Sequence, residues 1–116
     1  MKLASYVADG KVSYAVVVGD GVVTVSDKRA GRDPTLRHAL TAEGLAVIRQ
    51  AAAGATADHR LSDIRFLPAI PDPEKIVCAG INYRAHAAET GRELPTQPSM
   101  FARFVDTLVG HNGEMI

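Results

Sequence analysis

Apolar and polar positions alternate along the first quarter of the chain and then change period. Leu3 to Ala8 predicts a strand, Asp9-Gly10 a turn and Lys11 to Val18 a second strand. Asp-Gly between two apolar runs is a strong hairpin signal. Gly19-Asp20-Gly21 predicts another turn and Val22 to Val25 a third strand. Residues 1–26 therefore read as a three-stranded antiparallel meander, rich in the valine that strands favour. Ser26 to Pro34 is polar and reads as loop. Helical spacing follows: Thr35 to His38 opens one segment, with Leu36, Ala39 and Leu40 on one face. Thr41, Glu43 and Gly44 open a second, with Leu45, Ile48 and Ala52 at helical spacing and Gly54 to close it. His59 to Ile64 reads as a polar return, and Leu61 to Leu67 leads into an extended segment stopped by Pro68.

Pro71-Asp72-Pro73 marks a boundary, because two prolines around an aspartate impose extended backbone. Beyond it, Lys75 to Ala79 predicts a buried strand ended by Gly80. Asn82 is placed to cap a short helix through Ala88 or Glu89, with Gly91 as its left-handed stop. Arg92 to Ser99 reads as loop, Met100 to Phe104 as a short strand, and Gly110 to Gly113 as a turn before the end at Ile116. The expected fold class is α+β, with a small meander-and-helix domain over 1–70 and the start of a second domain over 71–116. Two strands and one short helix cannot close a core alone. The second stretch is expected to begin a larger domain, or to be completed by a partner chain.

Composition narrows the function classes. Thirteen basic and thirteen acidic residues cancel in a chain of 116, with no basic stripe of the kind nucleic-acid binders carry. No apolar run approaches the ~20 residues of a membrane span, and Ser5, Asp9 and Gly10 interrupt any signal-peptide core. A cytoplasmic chain with no nucleic-acid or membrane partner is expected. The single cysteine, Cys78, excludes an intrachain disulfide and reads as a small buried hydrophobe. Gly19-Asp20-Gly21 is no phosphate loop, because strand follows it. His38 and His59 read as surface or structural residues, and His111 sits in a turn where a site role stays open.

The segment richest in chemistry is Ile81-Asn82-Tyr83-Arg84-Ala85-His86-Ala87-Ala88-Glu89-Thr90-Gly91. His86 and Glu89 are three apart, on one helix face and within reach of each other. A carboxylate beside an imidazole orients the ring and favours its protonated form, which suits a general base. The same spacing on an exposed helix commonly means no more than solvation.

Context adds weight. Lys75-Ile76-Val77-Cys78-Ala79-Gly80-Ile81-Asn82-Tyr83, followed by His86, Glu89, Pro95, Pro98, Met100, Phe101, Arg103 and Leu108-Val109-Gly110, resembles the opening of the catalytic domain in the fumarylacetoacetate hydrolase family. The resemblance is specific over 73–113 and weaker over 1–70. It implies a mixed β-roll, usually dimeric, acting on 2-oxo or 2,4-dioxo acids. The reactions are carbon–carbon bond hydrolysis, decarboxylation, hydration or isomerisation. It implies His86 and Glu89 as a water-activating dyad on a lid-like helix, and substrate contacts from Arg103, Tyr83 and Asn82. Arg103 stands where many members have lysine; Asn82 and Tyr83 also fit a capping and packing role. The family's magnesium or manganese ligands, a Glu-x-Glu pair and a later aspartate, have no counterpart here. Glu114 stands alone, and Asp72 and Glu74 read as a boundary turn. The metal half of the site is expected downstream of Ile116. The alternatives are a non-catalytic module kept for assembly or small-molecule binding, and a binding module whose meander edge pairs with a partner.

Overall fold

A computed structural model describes residues 1–29 and 31–114; Ala30, Met115 and Ile116, and with them the chain end, lie outside the described residues. The chain is α+β and divides into two compact units: Met1–Asp72 with the described residues from Leu108 on, and Pro73–Thr107.

The first unit is built on a five-stranded antiparallel sheet. Strands β1 (Lys2–Ala8), β2 (Lys11–Val18) and β3 (Gly21–Thr24) form the expected meander. The first turn is tight because Asp9 and Gly10 both take positive φ, 50° and 76°, which matches the twist of the strands they join. Two short strands flank the meander, β4 (His59–Arg60) against β3 and β5 (Arg65–Phe66) against β1, giving the order β4-β3-β2-β1-β5. Strand β3 begins one residue earlier than its valines suggest, because Gly21 pairs with Arg60. The polar return is thus part strand and part 3-10 turn, Leu61–Asp63, rather than plain loop.

Both faces of the sheet are covered. On one face Tyr14, Val16 and Val25 pack with Leu36, Ala39 and Ile48 of helices α1 (Leu36–Ala39) and α2 (Ala42–Ala52). On the other, Tyr6, Ala15 and Val22 pack with Leu61 and Ile64. Alternation along β2 sends Tyr14 and Val16 one way and Ala15 and Val17 the other, so the consecutive Tyr14, Ala15 and Val16 are all buried and Val17 partly so. Thr41 caps α2, its hydroxyl oxygen accepting from the Gly44 N–H at 3.0 Å. Leu40, expected on the apolar face of α1, is exposed, since it is the residue at which that helix ends. Under the 26–34 loop the buried Arg29 and Asp33 form an ion pair, and the Tyr14 hydroxyl donates to the Asp33 carbonyl at 3.0 Å. Burial first, and the Asp33 charge second, raise the Tyr14 pKa against the opposing Arg29.

Residues before the boundary are tied back by polar contacts. The Ser5 hydroxyl donates to the Ala69 carbonyl at 2.8 Å, and the Leu67 N–H donates to the Ser5 carbonyl at 2.9 Å. Asp72 accepts from the Thr35 hydroxyl at 2.8 Å and from Arg37 at 3.2 Å. Burial opposes ionisation of Asp72, but those hydrogen bonds and the Arg37 charge outweigh it and hold the carboxyl below the usual carboxylate range. A depressed folded-state pKa stabilises the fold above the unfolded carboxyl pKa, and that contribution is lost as pH falls through the folded value. Asp72→Asn is therefore expected to flatten the acid side of the stability-versus-pH curve while acting as a small, pH-independent change above neutrality. Urea titrations across pH 2–7 check this; an unchanged acid slope rejects it.

From Leu108 the chain rejoins this unit. Gly110 lies so close to Phe66 that an added Cβ overlaps the Phe66 carbonyl oxygen and sits 3.1 Å from the Leu67 carbonyl carbon. Gly110→Ala must push backbone from backbone, and overpacking of this kind costs about 1–3 kcal/mol. Denaturant midpoints read the cost; a loss no larger than that of an exposed surface substitution counts against the close approach. No helix among the described residues is long and apolar enough to cross a membrane.

Candidate functional site

The second unit carries the segment singled out by its chemistry. Strand β6 (Ile76–Gly80) pairs antiparallel with β7 (Ser99–Arg103), from Ile76 opposite Arg103 to Gly80 opposite Ser99. The expectation of a buried strand is corrected. In this two-stranded ribbon Val77 is 60% exposed, Cys78 is only half-buried, and every residue of β7 is exposed. A strand with one neighbour has no second layer over it, whatever its hydrophobicity.

Helix α3 (Arg84–Glu89) follows a sharp turn at Ile81, whose φ is +48°. A β-branched residue in the left-handed region is an outlier. Its cost is roughly 1–3 kcal/mol, and such residues cluster at ligand clamps and active sites. The turn also corrects the capping assignment. Tyr83, in extended conformation, occupies the N-cap position with no side-chain cap, and Asn82 lies one residue outside the helix. The C-terminus behaves as expected. Gly91 takes φ +64°, its N–H donates to the Ala88 carbonyl at 3.2 Å, and the Arg92 N–H donates to the Ala87 carbonyl at 2.9 Å, a Schellman closure. The Thr90 hydroxyl reinforces it with a 2.8 Å bond to the His86 carbonyl.

His86 and Glu89 both lie exposed on α3. Among the described residues, no side-chain hydrogen bond or ion pair joins them. Side chains at i and i+3 are neighbours on a helix, so a rotamer change suffices to bring them together. Tyr83 is 74% exposed. Arg103 donates to the Thr107 carbonyl at 2.9 Å, from the end of the ribbon opposite Gly80. Four residue steps separate those ends, about 13 Å along the strand, so Arg103 and Asn82 are not brought together at one end.

What the fold does bring together is a hollow of 390 Å³ at the Gly80–Ser99 end, where Asn82 and Arg84 face the 94–99 loop. Of the residues expected to touch substrate, only Asn82 lines it. Arg84, Thr96 and Gln97 also line it and went unnoticed in the sequence. Their assembly depends on the Ile81 turn and the antiparallel return of β7, neither of which has a periodic signature. Among the described residues no three histidine, cysteine or acidic side chains converge to hold a metal ion. The described residues do not fit a magnesium or manganese centre. In the first unit His111 meets the Phe66 ring edge-on, centroids 6.0 Å apart, and His59 packs near Tyr6 at the same distance. His38 shares a 2.8 Å hydrogen bond with Thr35.

Known proteins resemble this chain in sequence and in shape. No family model matches the chain. The human mitochondrial oxaloacetate tautomerase FAHD2A is 32% identical over 104 residues, spanning 84% of this chain and 32% of the relative. Fumarylacetoacetate hydrolase domain-containing protein 2 of Pongo abelii is 31% identical over the same shares. The crystal structure of an HpcE-like protein from Mycobacterium smegmatis superposes with a TM-score of 0.62 at 25% identity, over 89% of this chain and 36% of that one. The fold and the strand–turn–helix segment define a fragment-length match to a family of enzymes. The chain belongs to the fumarylacetoacetate hydrolase family. It spans about a third of the length of the curated relatives it matches.

Proposed function

We propose that the protein to which this chain belongs is an enzyme acting on a small 2-oxo acid of the oxaloacetate type. The observation that carries the reading is the likeness to oxaloacetate tautomerases over 84% of the chain, including the segment with His86 and Glu89. Interconverting keto and enol forms of such an acid requires removal of a proton from C3 and delivery of a proton to the C2 oxygen. A histidine on an exposed helix, with a carboxylate one turn away to orient it, suits that transfer. The same base suits activation of water for carbon–carbon bond hydrolysis of a 2,4-dioxo acid, the reaction the motif resemblance suggests. The relatives' names favour tautomerisation.

The test supplies oxaloacetate as its enol to the intact polypeptide with added magnesium or manganese and follows loss of enol absorbance. A parallel assay follows cleavage of an acylpyruvate. Acceleration of the first supports tautomerisation, and of the second, hydrolysis. Acceleration of neither overturns the enzyme reading and favours a module kept for assembly or binding.

A further inference from the structure

The hollow beside the Ile81 turn has a chemistry of its own. Its volume of 390 Å³ falls within the range of small-molecule sites. Asn82, Thr96, Gln97 and Ser99 supply neutral polar groups, Leu94 and the prolines supply apolar wall, and no carboxylate among the described residues lines it. Its single charged residue among the described residues is Arg84. Among the described residues Arg84 has no ion-pair partner. An unpaired guanidinium beside neutral donors attracts an anion, and its planar fork matches a carboxylate with two parallel hydrogen bonds. The turn that presents it is the one at which Ile81 holds left-handed backbone, a conformation retained only where the surroundings enforce it.

We propose that Arg84, with the Asn82 and Gln97 amides, forms the binding site for a carboxylate of the substrate, a role distinct from those of His86, Glu89 and Arg103. The proposal rests on the 2-oxo acid reading for the identity of the ligand, but not for the existence of an anion site. Held there, the acid is anchored by a group that takes no part in proton transfer. Loss of Arg84 then weakens ground state and transition state alike, raising KM with little change in kcat.

The experiment uses the intact polypeptide and two probes: oxalate binding by calorimetry and oxaloacetate turnover. Arg84→Gln is expected to weaken oxalate binding and raise KM by about 10- to 100-fold, the range for loss of a charge-assisted pair. kcat is expected to stay within about threefold, and thermal melting to stay unchanged. Arg84→Lys is expected to recover part of the loss. Arg92→Gln, which removes the same charge from an exposed residue nearby, is expected to change neither probe. Unchanged KM and oxalate affinity in Arg84→Gln overturn the proposal, as does an equal effect in Arg92→Gln, which reduces it to bulk charge. Wild-type protein that turns over no oxo acid but binds oxalate through Arg84 overturns the function while sustaining the site. Protein that does neither overturns both.

Discussion

His86→Ala is expected to lower kcat for oxo-acid turnover by about 10²- to 10⁴-fold, the contribution of a positioned general base, while substrate affinity changes little. The expectation follows from what His86 touches and what it does not. Its backbone is held in α3, where its carbonyl accepts from the Thr90 amide at 3.1 Å and from the Thr90 hydroxyl. Its ring packs in no core and bonds no neighbour among the described residues, so truncation leaves no cavity and orphans no partner. Ala is also the better helix former. A fall in activity in this variant therefore reads chemistry and not unfolding, and an unchanged circular dichroism melt confirms that separation. Glu89→Gln keeps the shape but removes the charge that would orient the ring. It is expected to give a smaller loss in the same parameter. Turnover within about threefold of wild type in His86→Ala sinks the base assignment, because water alone cannot replace a contribution of that size. The kinetic signature is the opposite of that expected for Arg84→Gln, so the two variants separate a group that moves a proton from one that grips the substrate.

The elements that sequence made legible are those whose signal is local. The meander was readable because Asp9-Gly10 can adopt two consecutive positive φ values between valine-rich runs. Helix α2 was readable because Thr41 caps it and Ile48 recurs at the right period. Strand β4 was not, because it is two residues long and exists only by pairing with the meander, whereas β5 falls within the extended segment expected up to Leu67. His59 and Arg60 have no strand pattern of their own. The site divides in the same way. His86 and Glu89 stand out by spacing on one helix, and Gly91 by its role as a stop. The hollow needed three-dimensional information: Ile81, a residue expected to avoid positive φ, adopts it, and β7 returns antiparallel to place Thr96 and Gln97 beside Asn82. Local rules fail at Ile81, which is where a binding segment is expected to depart from them.

The largest stability effect is expected at Ile48. The residue is fully buried on α2, packed with Tyr14, Val16, Val25, Leu36 and Ala39 between the helices and one face of the sheet. Ile48→Ala removes three carbons where helix and strand side chains converge, and the hydrogen-bonded sheet behind Tyr14 and Val16 cannot collapse to refill the space. Such truncations cost about 2–5 kcal/mol, against roughly 5–15 kcal/mol for a whole domain. Ile48→Val, which removes one methyl group, is expected to cost about 0.5–1.5 kcal/mol. Arg49→Ala, one position along on the exposed face, should stay within about 0.5 kcal/mol. Urea denaturation of the three variants gives the comparison, with the midpoint falling and the slope unchanged if the native and unfolded states keep their compactness. The graded order is the sharp part of the prediction. Equal losses at Ile48 and Arg49 place the core elsewhere than between α2 and the Tyr14–Val16 face of the sheet.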